Sequence, residues 1–346
     1  MKIAQAAATA ILITFVFAIL TLGKELLIPM VLAIFVWYLI NILKDGILGL
    51  KIQGRGIPNF VAFPLALIVI GGGLTFFVRL LGRSINNVIR AAPSYQENIE
   101  ILLARGGEII GLDESPQLAE LIHKIDFTKI VQELGFTVAG FIGSTGIILV
   151  YTIFIFLEQK CFLPKIDRMM QGTGQREKIR HILKQIYDDT KTYIGIKTFT
   201  SLVTGIVSYW IMYAVGLDFA LFWALLIFLF NYIPTIGSIV ATVFPSVLAL
   251  IQFPNLTPFL IVVIGVAGVQ VLVGNILEPR LMGNTLNLSP LVILLSLALW
   301  GTVWGIPGAI LCVPITVLLT IIFSNFEGTR PVAVMLSKDG HISSNS

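Results

Sequence analysis

Long apolar runs separated by short polar stretches make up most of this chain. Six runs come close to, or exceed, the roughly 20 residues that an α-helix needs to cross the hydrocarbon layer of a bilayer. They are residues 3–22, 26–43, 60–81, 138–157, 193–215 and 258–273. We predict a membrane-spanning helix from each. The first is interpreted as an uncleaved anchor, because Gly23, Lys24 and Glu25 offer no small-x-small cleavage site after it.

Two further apolar runs, residues 219–251 and 289–323, are too long for a single crossing and contain breaks. The first would measure about 50 Å as one helix, and its middle, residues 231–238, reads NYIPTIGS. The second is interrupted by Gly301, Gly305, Pro307 and Gly308. Each half is short for a full crossing, so both runs predict broken or re-entrant helical hairpins. Ordinary kinked transmembrane helices are the alternative, since Gly and Pro are frequent in membrane helices.

These breaks carry a functional implication. Proline removes an amide donor, and an unpaired backbone group costs several kcal/mol in hydrocarbon, so interrupted helices are expected where they line a cavity. Each long run comes after one intact span, and the two units begin on opposite sides of the membrane. This order is that of an inverted repeat, with a transport site between the units. The predicted fold class is an all-α, polytopic integral membrane protein with about eight transmembrane segments.

Composition supports the membrane assignment. Of the 346 residues, 56% are hydrophobic and only 12% charged, and the mean hydropathy is +0.93, whereas soluble domains carry about 25% charged residues. The net charge of +4 does not predict a nucleic-acid partner, because the basic residues concentrate beside apolar runs. Neither the two cysteines nor the three histidines show ligand spacing. With no nucleophile elbow and no phosphate loop, we predict no cofactor, no metal site and no enzymatic activity.

The basic residues also orient the helices. Eight of them lie between residues 158 and 192, namely Lys160, Lys165, Arg168, Arg176, Lys178, Arg180, Lys184 and Lys191. The positive-inside rule places this segment in the cytoplasm, and counting crossings places both termini there. Outside, the spacing of Leu118, Leu121, Ile122 and Ile125 predicts amphipathic helices. We therefore divide the chain into N-terminal transmembrane helices (1–82), an extracytoplasmic amphipathic segment (83–137), a transmembrane helix (138–157), a basic cytoplasmic segment (158–192), a transport core (193–326) and a cytoplasmic tail (327–346).

The stretch GNILEPRLMG, residues 274–283, places a carboxylate and a guanidinium in apolar surroundings. Within residues 198–326 the formally charged residues are Asp218, Glu278 and Arg280. A charge at the bilayer centre costs about 2.5–3.5 kcal/mol on insertion scales, so such groups pair, face water or lie at an interface. Anchoring at the headgroup level is one interpretation of this stretch. A cytoplasmic gate of a polar path is the other.

The proline inside this stretch affects how the side chains of Glu278 and Arg280 are oriented relative to each other. Residues two apart on a regular helix do not face each other, but Pro279 disfavours regular helix for Glu278. The side chains of Glu278 and Arg280 either meet or reach separate helix ends. Asn275 supplies a neutral hydrogen-bonding group beside them.

Three of these motifs, in this order, resemble the autoinducer-2 exporter family of bacterial membrane proteins. The matching segments are NYIPTIGS at 231–238, GNILEPRLMG at 274–283 and LSLALWG at 295–301, together with Pro29 and the Pro93-x-Tyr95 sequence. The resemblance covers nearly the whole chain. It implies an inner-membrane exporter of the quorum-sensing signal autoinducer-2, a small neutral or borate-bound polyol. The family also includes members assigned sodium/proton antiport, and the resemblance implies homo-oligomers, a pentamer among them.

Three functions are compatible with the sequence. The first is a permease for a small polar solute, whose path or gate comprises Asn231, Pro234, Thr235, Gly237, Ser238, Asn275, Glu278, Pro279, Arg280 and Gly283. The second is a cation/proton antiporter, which needs a carboxylate that alternately binds a cation and a proton. An adjacent Arg280 favours ionised Glu278, and this argues for the neutral solute. The third is a membrane scaffold whose basic segment binds a partner or anionic lipid.

Overall fold

A computed structural model describes residues 2–52, 55–110, 127–171, 174–283 and 287–340. Two-residue strands, β1 (Lys51–Ile52) and β2 (Arg55–Gly56), form a small ribbon, and the rest of the regular structure is helical. The first half contains α1 (Lys2–Leu22), α2 (Lys24–Gly49), α3 (Asn59–Ile110), α4 (Phe127–Met169) and α5 (Arg176–Val215). The second half contains α6 (Ala220–Phe230), α7 (Ile236–Gln252), α8 (Leu256–Leu272), a π-helical turn (Val273–Leu277), α9 (Glu278–Met282), α10 (Pro290–Trp304), α11 (Ile306–Ser324) and α12 (Arg330–Leu336).

The predicted fold class is confirmed. Among the described residues, six helical stretches are long and apolar enough to cross a membrane, and α6, α7 and α10 are shorter apolar helices. The spanning stretches are Lys24–Gly49, Asn59–Ala91, Gly143–Met169, Arg176–Val215, Leu256–Met282 and Ile306–Ser324. Their outward faces carry many exposed Leu, Ile, Val and Phe side chains. A lipid-facing surface accounts for these side chains.

Helices α2, α3 and α4 pack around a cluster of their own. Ala33, Ala62 and Ala66 are fully buried in it, and such small side chains let membrane helices approach closely. Helix α3 is 52 residues long, about 78 Å, so it continues well past its apolar run. The amphipathic helices predicted from residues 118–125 lie outside the described residues.

The basic stretch between residues 158 and 192 is formed by the end of α4 and the start of α5. Asp167 on α4 accepts hydrogen bonds from Arg176 Nε at 3.0 Å and Arg180 Nε at 2.8 Å, both on α5. These charge-assisted contacts tie the two helices together beside the turn that joins them. Farther along α5, Lys191 pairs with Asp45 of α2. Helix α5 is thus anchored to both neighbours before it enters the apolar core.

The first long apolar run forms a re-entrant hairpin, as predicted, with α6 descending and α7 returning. Gln252, at the end of α7, bonds to the segment that precedes α6 and so holds the two ends of the hairpin together. Its Oε1 accepts from the Asp218 amide at 2.8 Å, and its Nε2 donates to the Gly216 carbonyl at 3.0 Å. The two ends of the hairpin therefore lie at the same level. A kinked single span is the wrong description of this run.

The second long run forms a hairpin of α10 and α11. The prediction that both of its halves are short for a crossing is wrong for α11, which is long and apolar enough to span a membrane. Ser296 of α10 donates to the Cys312 carbonyl of α11 at 3.0 Å. In both hairpins, a glycine near the turn packs directly against a backbone carbonyl oxygen. A Cβ at Gly237 would lie 1.8 Å from the Phe230 carbonyl oxygen, and one at Gly308 would lie 2.0 Å from that of Trp300. Both turns close only because glycine has no side chain.

The two hairpins meet in one buried cluster. Tyr232 and Ile233, from the tip of the first, pack in it with Leu297 and Val313 of the second. At the end of the chain, the short helix α12 folds back on this region. The Ser289 amide, which precedes α10, donates to the Leu336 carbonyl at 3.0 Å. The core is thus a pair of helical hairpins held against α5 and α8.

Candidate functional site

A buried ion pair joins α5 to the start of α9. Lys197 Nζ lies 2.7 Å from Glu278 Oε1 and 2.9 Å from Oε2. The side chains are only 9% and 16% exposed, respectively. Burying two charges is costly, and the cost is offset only by good geometry and mutual contact. Both carboxylate oxygens are engaged here, so Glu278 is neutralised by its partner inside the protein.

Lys197 was missed in the prediction from sequence: it lies inside the predicted span 193–215, but the charged residues of the core were counted only from residue 198 onward. One signal could have found it. Buried polar residues recur every three or four positions along α5, namely Lys197, Thr200, Ser201, Thr204 and Ser208. That spacing places them on one helix face. In a membrane span, such a face points to the protein interior.

Arg280 does not share the ion pair. It is exposed, and no ion pair found among the described residues includes it. Of the two arrangements that the sequence allowed, the one in which Glu278 and Arg280 meet is wrong, because Glu278 pairs with Lys197. Asn275 and Gly283 are exposed as well. Glu278 therefore lies inside the protein, whereas these neighbours in the sequence lie at its surface.

A π-helical turn explains how Glu278 comes to face α5. The Glu278 amide donates to the Val273 carbonyl, five residues back, where an α-helix would use the residue four back. Such a turn accommodates one extra residue and rotates the next turn of helix by about 100°. Pro279, which has no amide proton, comes next in the chain. Single π-turns are frequent at functional sites.

The tip of the first hairpin is strained. The Ile236 amide donates to the Pro234 carbonyl at 2.6 Å, which closes a γ-turn on Thr235. Thr235 has φ 60° and ψ −61°, a conformation that is unfavourable for a β-branched residue. Backbone strain of this kind persists only where the surroundings impose it, and it clusters at functional sites. Thr235 itself is exposed, whereas Gly237 behind it is buried.

Asn231 connects the same hairpin to the polar face of α5. Its side chain is buried and donates from Nδ2 to Ser201 Oγ at 3.0 Å. Beside it, Tyr232 donates to Thr198 Oγ1 at 2.8 Å. Ser201 lies one helical turn beyond Lys197. Of the predicted residues, Asn231 and Glu278 thus converge on neighbouring turns of α5.

A second polar contact closes the opposite end of the core. Tyr95 of α3 donates its phenol proton to Asp218 Oδ2 at 2.6 Å. Burial, and next the hydrogen bond to Asp218, raise the pKa of Tyr95 well above its usual range. Phe219, the next residue after Asp218, has a left-handed φ of 56°. We call the Tyr95, Asp218 and Gln252 contacts the outer clasp, after the side of the membrane that the positions of the basic residues predict for them.

Comparison with known proteins agrees with this architecture. Residues 9–328 match the model of a family described as AI-2E family transporter. The chain is 30% identical over 322 residues to the AI-2 transport protein TqsA of Escherichia coli (strain K12), covering 91% of this chain and 90% of that one. It is also 29% identical over 326 residues to a "Putative transport protein" of Haemophilus influenzae, covering 91% of each. A Borreliella burgdorferi protein of the same description is 37% identical over 214 residues, 60% of this chain and 59% of its own length.

Proposed function

Because the chain belongs to the AI-2E transporter family, we propose that it is a secondary transporter that exports a small polar organic solute, with autoinducer-2 as its cargo. The buried Lys197–Glu278 pair is the observation that carries the proposal. Charged side chains inside a membrane protein pair with one another and mark solute or ion paths. This pair links the continuous helix α5 to the interrupted segment of α8 and α9, beside the strained tip of the first hairpin.

The ion pair acts as the inner gate in this proposal. While Lys197 holds both Glu278 oxygens, α5 and α9 stay together. The cargo's hydroxyl groups replace part of that contact as it passes, since they both donate and accept hydrogen bonds. The outer clasp closes the other end, where Tyr95 holds Asp218. One gate remains closed while the other opens, as alternating access requires.

A neutral cargo fits these contacts better than a cation does. A cation that bound Glu278 would have to displace the Lys197 ammonium from both carboxylate oxygens. The buried groups nearest the pair on α5, Thr200 and Ser201, are neutral hydroxyls. A membrane scaffold, the third candidate function, would not need a buried ion pair or buried hydroxyl groups. Each polar group buried in an apolar core carries a desolvation cost.

The proposal is tested by flux in reconstituted liposomes. We expect labelled autoinducer-2 to move across liposomes that contain the wild-type chain. Glu278→Gln and Lys197→Met should each reduce the initial rate by about tenfold or more, because either leaves its partner buried and unpaired. Arg280→Gln, at an exposed position, is the matched control and should retain most of the rate.

The same liposomes distinguish the antiporter. A pH-sensitive dye inside them reports proton movement when sodium is added. Sodium-dependent proton flux that Glu278→Gln abolishes, with no movement of autoinducer-2, would replace the solute exporter by a cation/proton antiporter. Transport that survives Glu278→Gln and Lys197→Met unchanged would remove the pair from the path.

A further inference from the structure

Four buried side-chain polar atoms in the described part of the chain lack a hydrogen-bond partner. They are Thr190 Oγ1, Ser208 Oγ, Trp223 Nε1 and Gln270 Nε2. Thr190 lies toward the cytoplasmic start of α5, about five helical turns from Ser208. The other three come from three neighbouring helices, α5, α6 and α8. Both α6 and α8 pack against α5, and buried polar groups are almost always paired, so these three atoms require an explanation.

The contacts between α5 and α6 place Ser208 and Trp223 at the same level. Asn231 Nδ2 bonds Ser201 Oγ at 3.0 Å, and a Cβ at Gly205 would lie 3.1 Å from the Ala224 carbonyl oxygen. The helices run antiparallel, so a step forward along α5 corresponds to a step backward along α6. Counting on from these contacts brings Ser208 opposite Trp223, which is 2% exposed.

The contacts between α5 and α8 place Gln270 at the same level. A Cβ at Gly265 would lie 2.9 Å from Ile211 Cγ2, and the Lys197–Glu278 pair fixes the register at the other end. Between these two contacts, Gln270 falls opposite residues 205–208 of α5. Gln270 is buried on the same stripe of α8 as Val262 and Val266. Its side chain therefore faces the protein and not lipid.

The three helices meet in one buried cluster at this level. Met212 of α5, Trp223 of α6 and Val266 of α8 all belong to it. The Trp223 ring stacks on Phe244 of α7, with ring centroids 6.2 Å apart and 12° between the planes. Ser208 lies about three helical turns, roughly 16 Å, beyond Lys197 along α5. The group is thus set between the inner gate and the outer clasp.

We propose that Ser208, Trp223 and Gln270 form the cargo-binding site, and that its ligand is a neutral, oxygen-rich solute that accepts hydrogen bonds. The indole N–H and the amide NH₂ can only donate, and the serine hydroxyl can donate as well. A metal cation requires oxygen ligands, which two of these three atoms cannot supply. Hydroxyl, carbonyl and ether oxygens complement all three. This site rests on the proposed function and specifies where its cargo binds.

Binding of labelled autoinducer-2 to the purified full-length protein tests the site. Trp223→Phe keeps an aromatic side chain but removes the N–H group together with part of the indole, and Gln270→Met keeps the length of the side chain and removes the amide. Each should raise the dissociation constant roughly tenfold, the effect of one lost hydrogen bond. Trp210→Phe, at an exposed position of α5, and Ser246→Ala on α7 are the matched controls and should bind as the wild type does.

The melting temperature of the ligand-free protein provides a second measurement that does not depend on the cargo. If these donors await a ligand, Gln270→Met removes an unpaired buried group at nearly constant side-chain volume, and the melting temperature should stay the same or rise. A fall of several degrees in Gln270→Met would show that this donor is structural and would overturn the site. Unchanged affinity for autoinducer-2 in both Trp223→Phe and Gln270→Met would also overturn it, with the proposed function intact. If the wild type binds no autoinducer-2, the proposed cargo is wrong. The melting temperatures then test whether these side chains form a ligand site for another solute.

Discussion

At the scale of single residues, the Lys197–Glu278 pair is expected to specify how α5 docks on α9 more than to add net stability to the fold. Removing one partner of a buried ion pair leaves an uncompensated charge, whereas replacing both with apolar or neutral groups can restore stability. The pair joins residues 81 positions apart in the chain. Its geometry therefore depends on how α5 and α9 are docked.

A double-mutant cycle on this pair should show strong coupling. We expect Lys197→Met alone to lower the free energy of unfolding by about 3–5 kcal/mol. The double variant Lys197→Met with Glu278→Gln should recover most of that loss, without recovering transport. The measurement is chemical unfolding in detergent, with flux in liposomes alongside.

Lys191→Met provides the comparison, because Lys191 pairs with Asp45 at a more exposed position and should cost no more than about 1 kcal/mol. Additive single effects at residues 197 and 278 would contradict the coupling.

The sequence identified Glu278 but could not identify its partner. Charge and apolar context marked Glu278, Arg280 and the proline between them. The choice of Lys197 over Arg280 depends on the rotation introduced by the π-helical turn, and on the antiparallel register of α5 and α8. Neither is encoded in local spacing, because both result from packing between distant helices.

At the scale of elements, the lengths of the apolar runs were enough to predict both hairpins. Residues 219–251 are too many for one crossing and too few for two, and the residues that break the helix lie near the middle. The strained γ-turn at Thr235 could not be predicted in the same way. Threonine does not favour a positive φ, so the surrounding packing imposes this conformation.

The turn of the first hairpin should be very sensitive to glycine replacement. Gly237→Ala would bring a Cβ within 1.8 Å of the Phe230 carbonyl oxygen, so the backbone would have to move. We expect a loss of at least about 1–3 kcal/mol of stability, the usual cost of overpacking, measured by thermal unfolding in detergent. Gly268→Ala in α8 is the control, since a Cβ there meets nothing within 4 Å. Equal melting temperatures for the two variants would contradict this close contact.

At the scale of the whole molecule, the outer clasp joins the first half of the chain to the transport core. Tyr95 belongs to α3, whereas Asp218 and Gln252 belong to the two ends of the first hairpin. Opening the clasp is therefore expected to loosen the hairpin's outer ends and not its tip.

Removing the phenol should expose those outer ends. We expect Tyr95→Phe to accelerate amide hydrogen exchange in residues 216–219 by roughly five- to tenfold, the effect of losing about 1 kcal/mol. Tyr209→Phe serves as the control and should leave this peptide unchanged. Because the pKa of Tyr95 is raised, the donor stays protonated above pH 10, where an ordinary tyrosine, with a pKa of about 10, begins to lose its proton. The difference between Tyr95→Phe and the wild type should therefore persist at pH 10.5, and its disappearance between pH 9 and 10.5 would contradict this assignment.

The length of helix α5 has a mechanical consequence. The helix is a continuous rod of 40 residues, about 60 Å, that carries Lys197 in its middle third and leads directly into Asp218 at its outer end. Tilting this rod about a point between Lys197 and Val215 moves those two residues in opposite directions. A single tilt can thus open the inner gate while it closes the outer clasp, or the reverse. No further moving element is needed to couple the two.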